Sequence, residues 1–232
     1  MEKSFTLDIQ RDLTELFRGF EWKMKGLIDV DGKVYPIPKI PQVITGIFES
    51  IAGLKIRDFV KAKYQCSVIE GNPREYPDIT MFGGKLGDTK MALDIKTTRR
   101  IGLDRVSGFT IGSFAGYFLN PDKKMAGCRF PYHDYCEHWI IGFIYTWDED
   151  AESSRIVSDI ETIVQPKWQI ASKSTGTGTT FAISSVRSIK RLREAKGDFS
   201  SSEEFEEFWR NRGFARISRI NRNSDDQLKL ID

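Results

Sequence analysis

Two stretches decide how this chain reads: Tyr76-Pro77-Asp78-Ile79-Thr80-Met81-Phe82 and Met91-Ala92-Leu93-Asp94-Ile95-Lys96. Both carry apolar runs of strand length, and the Gly/Lys/Asp-rich segment between them predicts a turn. Residues i and i+2 of a strand share a face, so Asp94 and Lys96 project the same way. Asp78 precedes the neighbouring strand, and a hairpin-like turn brings its carboxylate beside Asp94. Two converging carboxylates repel each other unless a cation sits between them. A hard divalent ion such as Mg²⁺ suits, because it takes oxygen ligands and keeps waters for substrate phosphates. The backbone carbonyl of Ile95 is a further donor. Lys96 beside the metal is placed to orient or help deprotonate a water, or to neutralise phosphate charge. That is equipment for in-line phosphodiester hydrolysis.

Either half alone has a blander reading. An Asp after Pro is a turn former, and Asp-x-Lys in a strand is also a solvent-facing ion pair. What favours chemistry is the combination. Asp94 lies in an otherwise apolar strand, the two halves fall on adjacent strands, and Glu49 in Ile47-Phe48-Glu49-Ser50-Ile51 is a candidate third carboxylate. Glu49 reads equally as a helix-surface acid.

Working outward, residues 5–20 carry Ile9, Leu13, Leu16, Phe17 and Phe20 at helical spacing. This predicts an amphipathic opening helix, packed on the core or on a second subunit. Asp31-Gly32 between apolar runs predicts a hairpin over 26–36. Residues 42–64 predict a long helix with Val43, Ile47, Ile51, Leu54 and Phe59 on its buried face and Phe48 beside it. Residues 138–146 predict a strand buried on both faces. Residues 148–161 read as a polar connector, residues 168–171 as a strand, and Gly176–Thr180 as a loop. Phe205, Phe208 and Trp209 mark a final acidic helix, followed by five arginines between 210 and 222. Helices alternating with strands predict an α/β or α+β domain spanning 1–232.

The chain has 232 residues, 40% of them apolar, enough for a substantial core. Its 35 basic and 33 acidic residues leave a net charge of only +2, which excludes a polycation or a disordered chain of high net charge. That balance hides segregation: six acids crowd 148–161, while Arg210, Arg212, Arg216, Arg219 and Arg222 stand with no acid among them. The longest apolar stretch, Trp139–Tyr145, is too short to span a bilayer. The first residues lack a signal-peptide pattern, and three cysteines make a poor disulfide scaffold. Together these predict a reduced, cytoplasmic protein. Cys128, His133, Cys136 and His138 invite a zinc reading, but their spacing is cramped and unlike zinc patterns. His138 reads better as a core histidine.

Pro77-Asp78, fifteen residues, then Asp94-Ile95-Lys96 resembles the PD-(D/E)xK nuclease superfamily. More closely, the chain resembles the EcoRV type of type II restriction endonuclease. The ordered blocks are Ile47-Phe48-Glu49, Tyr76-Pro77-Asp78-Ile79-Thr80, Asp94-Ile95-Lys96-Thr97-Thr98, Phe109-Thr110-Ile111-Gly112, His138-Trp139-Ile140-Ile141-Gly142, Gly176-Thr177-Gly178-Thr179-Thr180 and Phe208-Trp209-Arg210-Asn211. The resemblance implies a mixed central sheet flanked by helices. It implies a homodimer that grips a palindromic DNA site and cuts both strands with Mg²⁺, leaving blunt ends. Asp78 and Asp94 carry over as metal ligands with the Ile95 carbonyl, Lys96 as the catalytic lysine, and Glu49 as an accessory, metal-side carboxylate. The loop Gly176, Thr177, Gly178, Thr179 and Thr180 matches the one that enters the major groove, and residues 71–75 the one near the minor groove. Thr97, Thr98, Thr110, Lys123, Arg210 and Arg212 are further candidate DNA contacts. Residues 1–40 and 147–162 would serve dimerisation, and 163–232 recognition and backbone contacts.

Two departures bear on specificity. Thr179 stands where the family's loop carries an amide, and Asn reads adenine bidentately whereas Thr does not. Gly71-Asn72-Pro73-Arg74-Glu75 lacks paired glutamines, and Arg74 is placed for a narrow minor groove or for solvent. GATATC is therefore only the starting candidate for the target site. Two other readings use the same residues: a structure-directed repair or junction nuclease, and a sequence-specific DNA-binding protein without catalysis. A restriction enzyme further implies a host methyltransferase for the same site.

Overall fold

The computed structural model describes residues 7–72, 75–113, 116–174 and 182–228, from residue 216 on by backbone alone. After the helix α1 (Ile9–Leu16) comes a small hairpin, β1 (Leu27–Ile28) with β2 (Val34–Tyr35). The long helix α2 (Pro41–Tyr64) leads into β3 (Ser67–Glu70), β4 (Ile79–Phe82), β5 (Lys90–Gly102) and β6 (Arg105–Ser113). Then come β7 (Tyr135–Trp147), β8 (Val157–Pro166), the single turn α3 (Lys167–Ile170), β9 (Ala182–Ser188), α4 (Ile189–Arg193) and α5 (Ser202–Leu228).

The sheet is mixed and built around β5. On one side β5 pairs in parallel with β7, from Lys90↔Tyr135 to Arg99↔Tyr145, and β7 pairs antiparallel with β8. On its other side β5 changes partner. It is antiparallel to β4 up to Leu93↔Ile79, and antiparallel to β6 from Arg100↔Val106. Beyond β4 lies β3, and beyond β6 lies β9. The sheet therefore forks along residues 94–99.

Each face of the sheet has its own core. Leu93, Ile95, Ile141, Phe143 and Tyr145 pack beneath α1 and α2. Ile140, Ile144, Val106, Phe109 and Ile183 pack beneath α4 and α5. Alternate residues of β7 feed the two cores, as its unbroken apolar run requires. Phe48 of α2 stacks on Phe143 and Tyr145, with ring centroids 5.1 and 5.4 Å apart.

The structure corrects several expectations. The buried stripe of α2 is Ile44, Phe48, Ala52, Ile56 and Val60. Val43, Ile47 and Phe59 pack only partly, and Leu54 is 50% exposed. The helix is apolar on more than one side, so spacing alone picks the wrong side. The supposed connector 148–161 contains the start of β8, an edge strand whose polar residues face solvent. Residues 168–171 form a helical turn and its cap rather than a strand, begun where Pro166 ends β8.

The opening helix packs its stripe of Ile9 and Leu13, with Phe17 just beyond it, on this chain's own core. Asp12 is buried, accepts from Tyr64 Oη at 2.5 Å, and has Lys63 Nζ at 2.7 Å and Arg11 Nε at 3.1 Å. Burial pushes its carboxyl up, but the bonds from Lys63, Tyr64 and Arg11 outweigh that and hold it at about 2. A depressed carboxyl stabilises the fold above its unfolded value and ceases to do so as pH falls through its folded value. Asp12→Asn should therefore lower stability by about 2 kcal/mol at pH 7, and the difference should vanish between pH ~4 and ~2. Urea unfolding of both proteins across that range checks this.

Candidate active site

The fork leaves one edge of β5 without a strand partner, and side chains take its place. Ile95 directs its N–H and its carbonyl to that free edge. The N–H donates to Asp78 Oδ2 at 2.6 Å, and the carbonyl accepts from Lys96 Nζ at 3.0 Å. Asp78 reaches this point because β4 pairs Ile79 with Leu93, which sets Asp78 across from Asp94. The turn before it is held by Gly71, whose N–H donates to the Asp78 carbonyl at 2.8 Å. A Cβ at Gly71 would lie 2.5 Å from the Pro77 carbonyl oxygen, so only glycine fits.

Lys96 Nζ lies 2.8 Å from Asp94 Oδ2 and 3.6 Å from Asp78 Oδ2. The Asp94 side chain is 5% exposed. Its Oδ2 is buried and, despite the short ion-pair contact, receives no hydrogen bond of acceptable geometry. Burial raises the Asp78 carboxyl to about 7, helped by the charge of Asp94 and opposed by Lys96. For Lys96, burial pulls downward, but Asp94 and Asp78 together hold the ammonium above its ordinary value. It is a fixed cation at neutral pH. Glu49 is raised by the burial its wall position imposes, with Lys96 opposing and Asp94 adding. It senses the pair through charge, with no bond to it.

These residues open into a groove of about 760 Å³. Glu49, Gly53 and Arg57 of α2 line one wall at i, i+4 and i+8, and Thr110, Gly112 and Tyr117 line the other. Tyr117 and Arg57 are absent from the sequence-based candidates, because nothing local distinguishes them from other tyrosines or arginines, and Gly112 enters there only within the Phe109–Gly112 block.

The donors fit a hard divalent cation. Two carboxylates and a carbonyl meet at one place, and Asp94 Oδ2 is a buried anionic oxygen with lone pairs to spare. Among the described residues, no group of three or more His, Cys, Asp or Glu stands close enough to hold a metal. Glu49 is accordingly apart from the pair. His133 faces Asp122 and Glu206, and His138 faces Tyr76.

The comparison with known proteins agrees with this geometry. The family model "Restriction endonuclease EcoRV" matches residues 18–230. The chain belongs to this family. It is also 30% identical over 210 residues to the type II restriction enzyme EcoRV of Escherichia coli, covering 84% of this chain and 83% of that one. As a member it is a type II restriction endonuclease, a hydrolase that cleaves DNA site-specifically. Enzymes of the EcoRV family are generally dependent on a divalent metal ion. This sets aside the junction nuclease and the non-catalytic binder. Among the described residues no helix is long and apolar enough to cross a membrane.

The remaining candidates of the EcoRV-type reading are dispersed. Thr97 Oγ1 lies 2.7 Å from Thr45 Oγ1, and Thr98 is buried and donates to the Gly108 carbonyl at 2.9 Å. Both hydroxyls are thus engaged within the protein. Thr110 lines the groove. Lys123 is exposed on the 119–124 loop. Arg210 Nε donates to the Phe118 carbonyl at 2.8 Å and so clamps α5 to the turn at Gly116–Phe118. Arg212 is exposed beside Phe208 and Trp209. Arg74, Gly176, Thr177, Gly178, Thr179 and Thr180 lie outside the described residues.

Asp94→Ala removes the oxygen at the centre of this arrangement while relieving its repulsion with Asp78. The variant should fold, with a thermal midpoint no lower than wild type. It should cut DNA only at the uncatalysed background. Circular dichroism melting and a DNA digest check the two halves.

Proposed function

We propose that this enzyme hydrolyses both strands of a palindromic duplex DNA site as a homodimer, each subunit using Mg²⁺ on one strand and leaving blunt ends. The observation that carries the reading is the meeting of Asp78, Asp94 and Lys96 on the unpaired edge of β5. In this reading Asp78, Asp94 and the Ile95 carbonyl hold the metal, which when bound polarises the phosphate and lowers the pKa of a water. Lys96, kept protonated by its two carboxylate neighbours, orients the attacking water and offsets charge gathering on the phosphate. Glu49 acts as an accessory carboxylate from the opposite wall, through charge or an intervening water.

Dimerisation is the role of residues 1–40 with 147–162. The hairpin exposes Leu27, Ile28, Val30, Val34 and Tyr35, with Ile28 at 73% and Val30 at 102%. An apolar cluster of this kind marks an interaction surface. The two segments already join: Ile37 N–H donates to Ser153 Oγ at 2.8 Å, and Trp22 Nε1 donates to the Ser153 carbonyl at 2.7 Å. Ile28→Asp should convert a dimer to a monomer in analytical ultracentrifugation and abolish double-strand cutting.

Residues 163–232 serve recognition and backbone contact, with the Gly176–Thr180 loop in the major groove and the α5 arginines on phosphates. GATATC is the first site to test. Thr179 forgoes the bidentate contact with adenine, about 1–3 kcal/mol of discrimination, so a different base at that step is a natural outcome. The enzyme works on cytoplasmic DNA in a host whose methyltransferase marks the same site, with no contact between the two proteins required.

A plasmid digest with end sequencing tests the proposal. Discrete fragments with Mg²⁺, none with chelator, and flush ends at one palindrome are expected. Absence of fragments on any unmethylated DNA would overturn it. Binding should weaken by roughly 10³–10⁵ between 50 and 200 mM salt, as for 6–10 phosphate contacts.

A further inference from the structure

Lys167, the first residue of α3, is 1% exposed, yet no carboxylate among the described residues pairs with it. Its ammonium lies 3.9 Å from the centre of the Tyr76 ring and 3.4 Å from Tyr117 Oη. It sits under the groove floor, 3.6 Å from where a Cβ of Gly112 would be. A desolvated cation without a counter-ion is costly to keep in a fold. Burial pulls this one down to about 8; the charge of Asp94 pulls it back up, while that of Lys96 pushes it further down. It donates to Tyr117 Oη and lies over the face of the Tyr76 ring, the latter an interaction that strengthens when both groups are dry.

That ring belongs to the residue before Pro77-Asp78. Tyr76 is fixed all round. Its N–H donates to the Gly127 carbonyl at 2.8 Å, its carbonyl accepts from Arg129 N–H at 2.9 Å, and its hydroxyl meets His138 Nδ1 at 2.7 Å. Tyr117 stacks against it at 5.1 Å. Lys167 opens the segment that runs through Ala171–Ser174 toward residues 175–181. That segment is itself pinned to β9, where Ser172 N–H donates to Ser184 Oγ at 2.7 Å. One contact therefore spans the base of the loop segment and the arm that carries Asp78.

We propose that Lys167 is a positioning residue: its buried cation over the Tyr76 ring couples the recognition segment to the catalytic Asp78 arm. The inference rests on the function assigned above to those two parts. A shift of the 167–174 segment on a correct site is transmitted to Tyr76, and so to the carboxylate that holds the metal.

The test compares wild type, Lys167→Met and Lys167→Arg in two assays. One is DNA affinity with and without Ca²⁺, a divalent ion that serves as a non-cleaving probe. The other is single-turnover cleavage with Mg²⁺. Lys167→Met preserves length and packing but removes the cation. It should leave metal-free DNA affinity unchanged and remove most of the gain that Ca²⁺ brings. It should also slow cleavage by about 10²-fold, the scale of a small misplacement at the reacting centre. Lys167→Arg keeps a cation able to stack on the ring and should recover most of both. A Lys167→Met enzyme with wild-type gain and rate would overturn the proposal. So would a Lys167→Arg enzyme as impaired as Lys167→Met, which would mean packing rather than charge. Should Lys167→Met fail to fold, Tyr76→Leu removes the other partner and carries the same expectation and the same contradiction. A wild-type protein that binds DNA without cutting it would strike the cleavage reading alone, and the Ca²⁺ gain would still decide on Lys167.

Discussion

The free edge of β5 between Asp94 and Arg99 is the constraint on which the rest of this structure depends. A strand in the middle of a sheet ordinarily has its backbone groups taken on both sides. Here the pairing of β5 with β4 ends at Leu93 and its pairing with β6 begins at Arg100, so Ile95 offers its N–H and carbonyl to side chains instead. The side chains that answer are Asp78 and Lys96. The opening that makes room beside Asp78, Asp94 and Lys96 is the same opening that orients them. The parallel pairing with β7 keeps the other edge rigid while this one stays open.

The electrostatics follow from that arrangement. Two carboxylates share a small, partly dry space with one ammonium, and the acid nearer water, Asp78, rises to about 7 for it. Such a site is poorly balanced as it stands. A divalent cation improves the balance, because it brings positive charge to a buried oxygen that no hydrogen bond serves. Lys96 stands between the two carboxylates, whose charges favour its ammonium form.

Much of this was legible in the sequence, and for identifiable reasons. Asp94 and Lys96 share a face because strands have a period of two, and an acid within Met91–Ile95 has no structural excuse. The hairpin at Asp31-Gly32 follows from turn chemistry. What escaped was set by partners distant in the chain. The buried side of α2 depends on which stripe meets Phe143 and Tyr145, and an apolar helix surface does not announce that choice. The edge strand β8 hides behind solvent-facing acids. β6 and β9 are broken by glycines and serines, so their periodicity is faint. The fork itself is invisible locally, since it arises from where two other strands end. Lys167 left a trace, a lysine between Pro166 and Trp168 at the edge of an apolar run, but its ring partner lies 91 positions earlier in the chain.

The central claim is that Lys96 works as a fixed cation set against a metal held by Asp78 and Asp94. The most direct measurement is Mn²⁺ affinity, read by electron paramagnetic resonance, together with cleavage rate for Lys96→Met. The account predicts opposite changes: Mn²⁺ binds more tightly once the competing ammonium is gone, while DNA is no longer cut. Unchanged or weaker Mn²⁺ binding, or cleavage at the wild-type rate, would contradict it.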